Sequence, residues 1–129
     1  MPKDNEEILI DPAITYGEHY NSKDDVALYL DTYKELPPNY VTKKEAEKLG
    51  WIASSGNLRD VCDDCSIGGD RFGNYEGLLP EKDERTYYEC DIDYDGGTRN
   101  AKRIIYSNDG LIYYTDDHYK SFILLYGDE

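Results

Sequence analysis

Between residues 86 and 120 the chain carries a carboxylate, Glu89, two guanidiniums, Arg99 and Arg103, and an imidazole, His118. These are the parts needed to cleave a phosphodiester that has a hydroxyl beside it. A carboxylate can take the proton from a 2′-hydroxyl, a histidinium can give one to the departing 5′-oxygen, and fixed guanidiniums can stabilise charge growing on the phosphate oxygens. The chemistry is specific to RNA and calls for no metal and no cofactor.

These residues need elements to bring them together. Read with period 2, one face of the run TYYECDIDY carries Tyr87, Glu89 and Asp91, and the other carries Tyr88, Cys90, Ile92 and Tyr94. Glu89 therefore points away from the more apolar side. The turn signal Asp95-Gly96-Gly97 precedes Arg99 and the run RIIYS, and Asn108-Asp109-Gly110 precedes LIYYT and the loop Asp116-Asp117-His118-Tyr119. Consecutive antiparallel strands usually lie side by side, so the four groups can converge at one end of a sheet. Strands are expected around Arg71 to Phe72, Thr86 to Tyr94, Arg103 to Ser107, Leu111 to Thr115 and Ser121 to Tyr126.

The first half reads as helices. Ser22 and Asp25 mark the start of one with the stripe Val26, Tyr29, Leu30 and Tyr33, and Pro37-Pro38 must end it. Thr42 and Glu45 form a capping box for a second, with Ala46 and Leu49 on its apolar face and Gly50 as its stop. Lys43 then falls in the first helical turn, where a cation opposes the helix dipole and asks for a reason. Ser55-Gly56-Asn57 looks like the cap of a short third helix through Val61, and the glycines of SIGGD read as a turn into the sheet. Helices first and strands after give an α+β class, with N-terminal helices packed on one face of a C-terminal antiparallel sheet and the other face left for a ligand.

Length fits one domain with a modest core. Residues 22–129 are expected to form it, and the acidic stretch 1–21 reads as an extension, flexible unless Ile8, Ile10 and Ile14 dock against the body. His19 in that stretch reads as a solvent-exposed side chain. No run approaches the roughly 20 apolar residues of a membrane helix, and no apolar stretch follows Met1, so the sequence reads as a soluble protein or the mature part of a secreted one. Against a nucleic-acid partner stands a net charge of −14, from 28 acidic and 14 basic side chains. Such a field keeps a protein monomeric and slows RNA association unless the positive charge is concentrated where the phosphate sits. Cys62 and Cys65 have the CxxC spacing of half a zinc site but lack further ligands, so no metal is expected; a local disulfide is the stronger reading, and Cys90 reads as core packing.

From about Val26 to the C-terminus the chain resembles the barnase-type bacterial guanyl-specific ribonucleases. The resemblance is carried by TYKELPPNYVTKKEAEKLGW, ASSGNLRDV, SIGGDRF, NYEGLLP, Glu89, RNAKRIIYS and DHY, in one order and spacing. It implies the microbial ribonuclease fold and a metal-independent endoribonuclease acting on single-stranded RNA after guanosine. Glu89 is then the general base and His118 the general acid, with Lys43, Arg99 and Arg103 stabilising the phosphate. The loop Phe72, Gly73, Asn74, Tyr75 and Glu76 receives guanine, whose two adjacent donors suit the Glu76 carboxylate, and Tyr119 borders the base. Tyr75 stands where the family has an arginine. The resemblance also implies an acidic, barstar-like protein inhibitor as a partner. The competing reading is a non-catalytic scaffold whose acidic surface binds a basic protein.

Overall fold

The computed structural model describes residues 14–129. Helix α1 (Lys23–Tyr33) begins where the cap predicts: Ser22 is extended and its hydroxyl accepts from the Asp25 amide at 3.3 Å. Its buried face is Val26, Ala27, Tyr29 and Leu30, and full burial of an aliphatic side chain of this size stabilises by about 1.5–3 kcal/mol. The helix stops short of the prolines. Lys34 turns left-handed at φ 63° and its amide bonds the Leu30 carbonyl, so the backbone closes the helix before Pro37 is reached.

Ile14 is buried, Tyr16 packs on the rings of Tyr29 and Tyr33, and the Tyr20 backbone exchanges hydrogen bonds with the Asn39 side chain. The described part of the acidic stretch is therefore docked on α1; Ile8 and Ile10 lie outside the described residues. His19 is exposed as expected, and its Nδ1 lies 2.6 Å from the equally exposed Asp64 carboxylate.

Helix α2 (Lys43–Lys48) has both bonds of the Thr42–Glu45 capping box. Ala46 is buried but Leu49 is 51% exposed, contrary to expectation. The chain turns at Gly50, and Trp51, whose amide bonds the Ala46 carbonyl, takes the buried place instead. A 3-10 turn (Ala53–Ser55) and helix α3 (Leu58–Val61) follow, and Asn57 ties Ile52 to Gly50 through its side-chain amide. Cys62 and Cys65 are joined as a disulfide just beyond α3.

The strands are β1 (Tyr40–Val41), β2 (Ser66–Phe72), β3 (Tyr87–Asp91), β4 (Arg103–Ser107), β5 (Ile112–Thr115) and β6 (Ile123–Tyr126), in that spatial order. The architecture is α+β. All neighbouring pairs are antiparallel except β1 with β2, which is parallel. Two points differ from the sequence reading. The two-residue strand β1 was not expected, and SIGGD is strand rather than turn. Gly69 at φ 100° forms a bulge within β2, and a Cβ on Gly68 would come within 2.6 Å of Cys90 and Tyr40. The glycines thus allow β2 to lie in close contact with its neighbours instead of leaving the sheet.

Packing separates the two faces. α1 covers Cys90, Ile92, Ile104 and Ile112 on one, and a smaller cluster around Ala46, Trp51, Leu58 and Ile67 joins α2 and α3 to the sheet's first strands. On the opposite face Leu79, Tyr87, Ile105, Leu111 and Tyr113 pack with Phe72, Tyr119 and Phe122. Above that cluster lies a cavity. Among the described residues no helix is long and apolar enough to cross a membrane.

Candidate active site

Glu89 sits in the middle of β3, paired in register with Ile105 of β4 and Asp70 of β2. Because side chains alternate, Cys90 and Ile92 enter the α1 core and Glu89 faces the other side, half-buried. Among the described residues Glu89 forms no ion pair with an arginine of the next strand. Glu89 instead accepts a hydrogen bond from the Tyr119 hydroxyl. Burial and this carboxylate push the phenol's pKa upward, against the lowering effect of Arg103, so Tyr119 stays a donor.

The arginines belong to a different carboxylate. Asp91 is 1% exposed, and Arg99 meets it with two bonds of 2.7 Å. Arg103 Nε lies 3.1 Å from the same carboxylate, and its Nη1 donates to the Asn100 and Lys102 carbonyls. Asp91 raises the Arg99 pKa against the opposing effect of desolvation, and Tyr119 and Glu89 lie near enough to add to it. Asp91 was not singled out from the sequence. The signal was present, since it shares the Glu89 face two residues on and faces Arg103 across the ladder.

The loop after β5 presents His118. Its carrier is Asp117: one oxygen accepts from the Thr115 hydroxyl at 2.7 Å and the Lys120 and Ser121 amides at 3.0 Å, and the other from the Ser121 hydroxyl at 2.6 Å. Asp117 is therefore engaged by the loop itself and not by the His118 ring. The network holds two consecutive left-handed residues, His118 at φ 58° and Tyr119 at φ 75°, each of which costs on the order of 1–3 kcal/mol. Hydrogen bonds from Ser121 and then Thr115 hold the Asp117 carboxyl down to about 2. A depressed folded-state value gives stability that is present above the unfolded value of about 3.9 and lost as pH falls through the folded one. Asp117→Asn is thus expected to remove part of the acid dependence of unfolding between about pH 4 and 2. An unchanged slope of stability against pH in that window would exclude the assignment.

Glu89, His118 and Tyr119 line a cavity of about 440 Å³ whose other wall is the loop after β2, from Phe72 to Glu76. That loop is built on Asn74, a buried residue at φ 53° whose amide group bonds both the NH and the carbonyl of Leu79 and also meets Glu81. The Gly77 amide closes the turn on the Asn74 carbonyl at 3.0 Å, leaving Tyr75 and Glu76 exposed at its tip. Tyr119 shares the cavity but also stacks on Phe72, with ring centroids 5.2 Å apart. Lys43, Arg99 and Arg103 do not line the cavity. The arginines lie behind Tyr119 and Glu89, and Lys43 is exposed, with its amide tied at 3.0 Å to Asp70, the β2 neighbour of Glu89.

Glu89 and His118 thus line one cavity, with the Asp91-bound guanidiniums of Arg99 and Arg103 behind and the loop carrying Glu76 opposite. Residues 23–126 match the ribonuclease family model, and the chain belongs to this ribonuclease family. It is 56% identical over 102 residues to a ribonuclease of Heyndrickxia coagulans, covering 79% of this chain and 94% of that relative. The same identity holds to a ribonuclease of Bacillus intermedius, of which the chain spans 63%. The guanyl-specific ribonuclease St of Saccharopolyspora erythraea is 40% identical over 57 residues, 43% of this chain and 56% of that relative.

Proposed function

We propose that this ribonuclease cleaves single-stranded RNA after guanosine, without a metal, by transphosphorylation to a 2′,3′-cyclic phosphate that water then opens. Glu89 removes the 2′-hydroxyl proton while His118 protonates the leaving 5′-oxygen, and the two exchange roles in the hydrolytic step. Arg99 and Arg103, held by Asp91, and Lys43 stabilise the charge that grows on the phosphate. Glu76 accepts from the guanine edge, with the backbone of Phe72, Gly73 and Asn74 framing the base and Tyr119 bordering it.

The observation that carries this reading is one cavity bounded by Glu89 and His118 on one side and the Asn74-built loop with Glu76 on the other. Family membership favours it over the non-catalytic scaffold. The same reading makes the protein an extracellular monomer; the Cys62–Cys65 disulfide suits an oxidising compartment. An acidic, barstar-like inhibitor would gain no long-range attraction from a chain of net charge −14, so steering would be confined to the cleft cations.

The test is incubation of single-stranded RNA with the protein in EDTA, with products mapped by their 3′ ends. Cuts following G that end in cyclic phosphates are the expected result. A folded sample that leaves RNA intact in EDTA, or cuts without regard to base, would remove the mechanism or the specificity respectively.

A further inference from the structure

We propose that a second cavity, on the α1 face of the sheet, binds a small organic cation of the alkylguanidinium class, held by two tyrosine rings and the carboxylate at the end of α1. It shares no lining residue with the cavity of Glu89 and His118.

Strand alternation supplies the rings. Tyr88 and Tyr106 fall on the side of Cys90 and Ile104, the face that α1 covers. They oppose each other across the β3–β4 ladder, with ring centroids 5.7 Å apart and planes 30° from parallel, so they form a continuous aromatic floor. Leu30 of α1 and Ile112 of β5 wall a space of about 290 Å³. That is just under the roughly 300–1,000 Å³ of drug-sized sites, so it takes a small head group. Gly110 leaves one wall open, since a Cβ there would meet nothing within 4 Å.

Charge selects the ligand. Asp31 also lines the cavity and stands in the last turn of α1, which carries no basic residue. A carboxylate there opposes the helix dipole and is locally unfavourable unless a cation joins it. Lys34 answers only in part, with Nζ 3.9 Å from Asp31 Oδ1 and a side chain 70% exposed. Other tyrosine rings of the chain are covered by its own cations, Tyr114 by Lys23 at 5.3 Å and Tyr94 by Arg59 at 4.9 Å. Among the described residues no cation covers Tyr88 or Tyr106. Burial, with Cys90 and Tyr88 adding to it, pushes the Tyr106 phenol up, so the ring stays neutral. An anion entering here would meet Asp31, the negative end of α1 and a chain of net charge −14. A guanidinium meets flat rings on which it can stack and a carboxylate that it can bond, which a compact ammonium does less well.

The test is a titration of isotope-labelled protein with ethylguanidinium at fixed ionic strength, followed through the amide signals of Leu30, Tyr106 and Ile112. Ethylurea serves as the uncharged isostere and inorganic phosphate as the anion. Saturable shifts at these amides with ethylguanidinium alone are expected. Tyr88→Leu and Tyr106→Leu should each weaken binding about 2- to 30-fold, the range of a cation on an aromatic face. Asp31→Asn should weaken it about 2- to 5-fold, the scale of an exposed ion pair. Lys34→Asn should tighten it by up to about 5-fold, because a competing cation is removed and asparagine tolerates the left-handed backbone of that position. Tyr106 also packs on the core, so Tyr88→Leu and Asp31→Asn decide the outcome if Tyr106→Leu does not fold. Wild-type affinity in both of these variants would overturn the proposal. So would shifts of equal size with ethylurea, shifts with phosphate at the same amides, weaker binding in Lys34→Asn, or shifts spread without saturation over the acidic surface.

Discussion

Glu89→Gln is expected to lower the turnover of a GpN dinucleotide by about 100- to 10,000-fold, the scale of a single general acid or base. Glutamine keeps the shape, and its amide oxygen can still accept from the Tyr119 hydroxyl that Glu89 now holds. The fold should therefore survive, and the loss should fall on turnover because only proton uptake is removed. His118→Ala should cost a similar factor, and its exposed position in the loop makes a stability loss small. The double variant should be little worse than the weaker single one, since groups that act as a unit are non-additive. Wild-type turnover in both single variants would exclude the acid–base assignment.

The division of labour among the acidic residues explains how Glu89 stays available for such work. A carboxylate on a strand beside arginines would ordinarily be claimed by them. Asp91 takes both guanidiniums instead, and Tyr119 gives Glu89 a neutral donor that occupies a single hydrogen-bonding direction. A carboxylate has about four acceptor positions, so one phenol leaves room for a substrate hydroxyl. In the proposed mechanism the arginines, anchored behind this pair, would act on the phosphate through their field and remaining donors without neutralising the base.

Much of this was legible in the sequence because it follows from short-range rules. The capping box at Thr42, the stripe on α1 and the alternation that turns Glu89 away from Cys90 are all local. The missed features depend on partners distant in sequence. Strand β1 is only two residues long and exists by pairing with β2, where Gly68 admits Tyr40 and Cys90. Leu49 loses its place to Trp51 through a turn that helical periodicity does not see. The Tyr119 hydroxyl bond to Glu89 likewise joins residues far apart in the chain, from β3 and the loop after β5. Asp91 is legible only as a member of the Glu89 face, because its hold on Arg99 and Arg103 depends on the pairing of β3 with β4 and the turn between them.

Asp91→Ala is the substitution expected to damage the fold most. It removes a carboxylate 1% exposed and leaves two guanidiniums facing each other. Breaking a buried pair by deleting one partner typically costs about 3–5 kcal/mol, because the remaining charge has no water to return to. The two arginines differ in this respect. The Arg99 side chain is 23% exposed and can swing outward, whereas that of Arg103 is 4% exposed and is held by the Asn100 and Lys102 carbonyls. Most of the penalty should therefore come from Arg103, and adding Arg103→Met to Asp91→Ala should recover stability, as replacing a whole buried pair by apolar groups often does. Urea unfolding with unchanged m-values is the measurement. A loss below about 1 kcal/mol in Asp91→Ala, the range of an exposed ion pair, would mean that Asp91 neither bears nor aims the arginines. A double variant no more stable than the single one would show that the stranded Arg103 charge is not the cause.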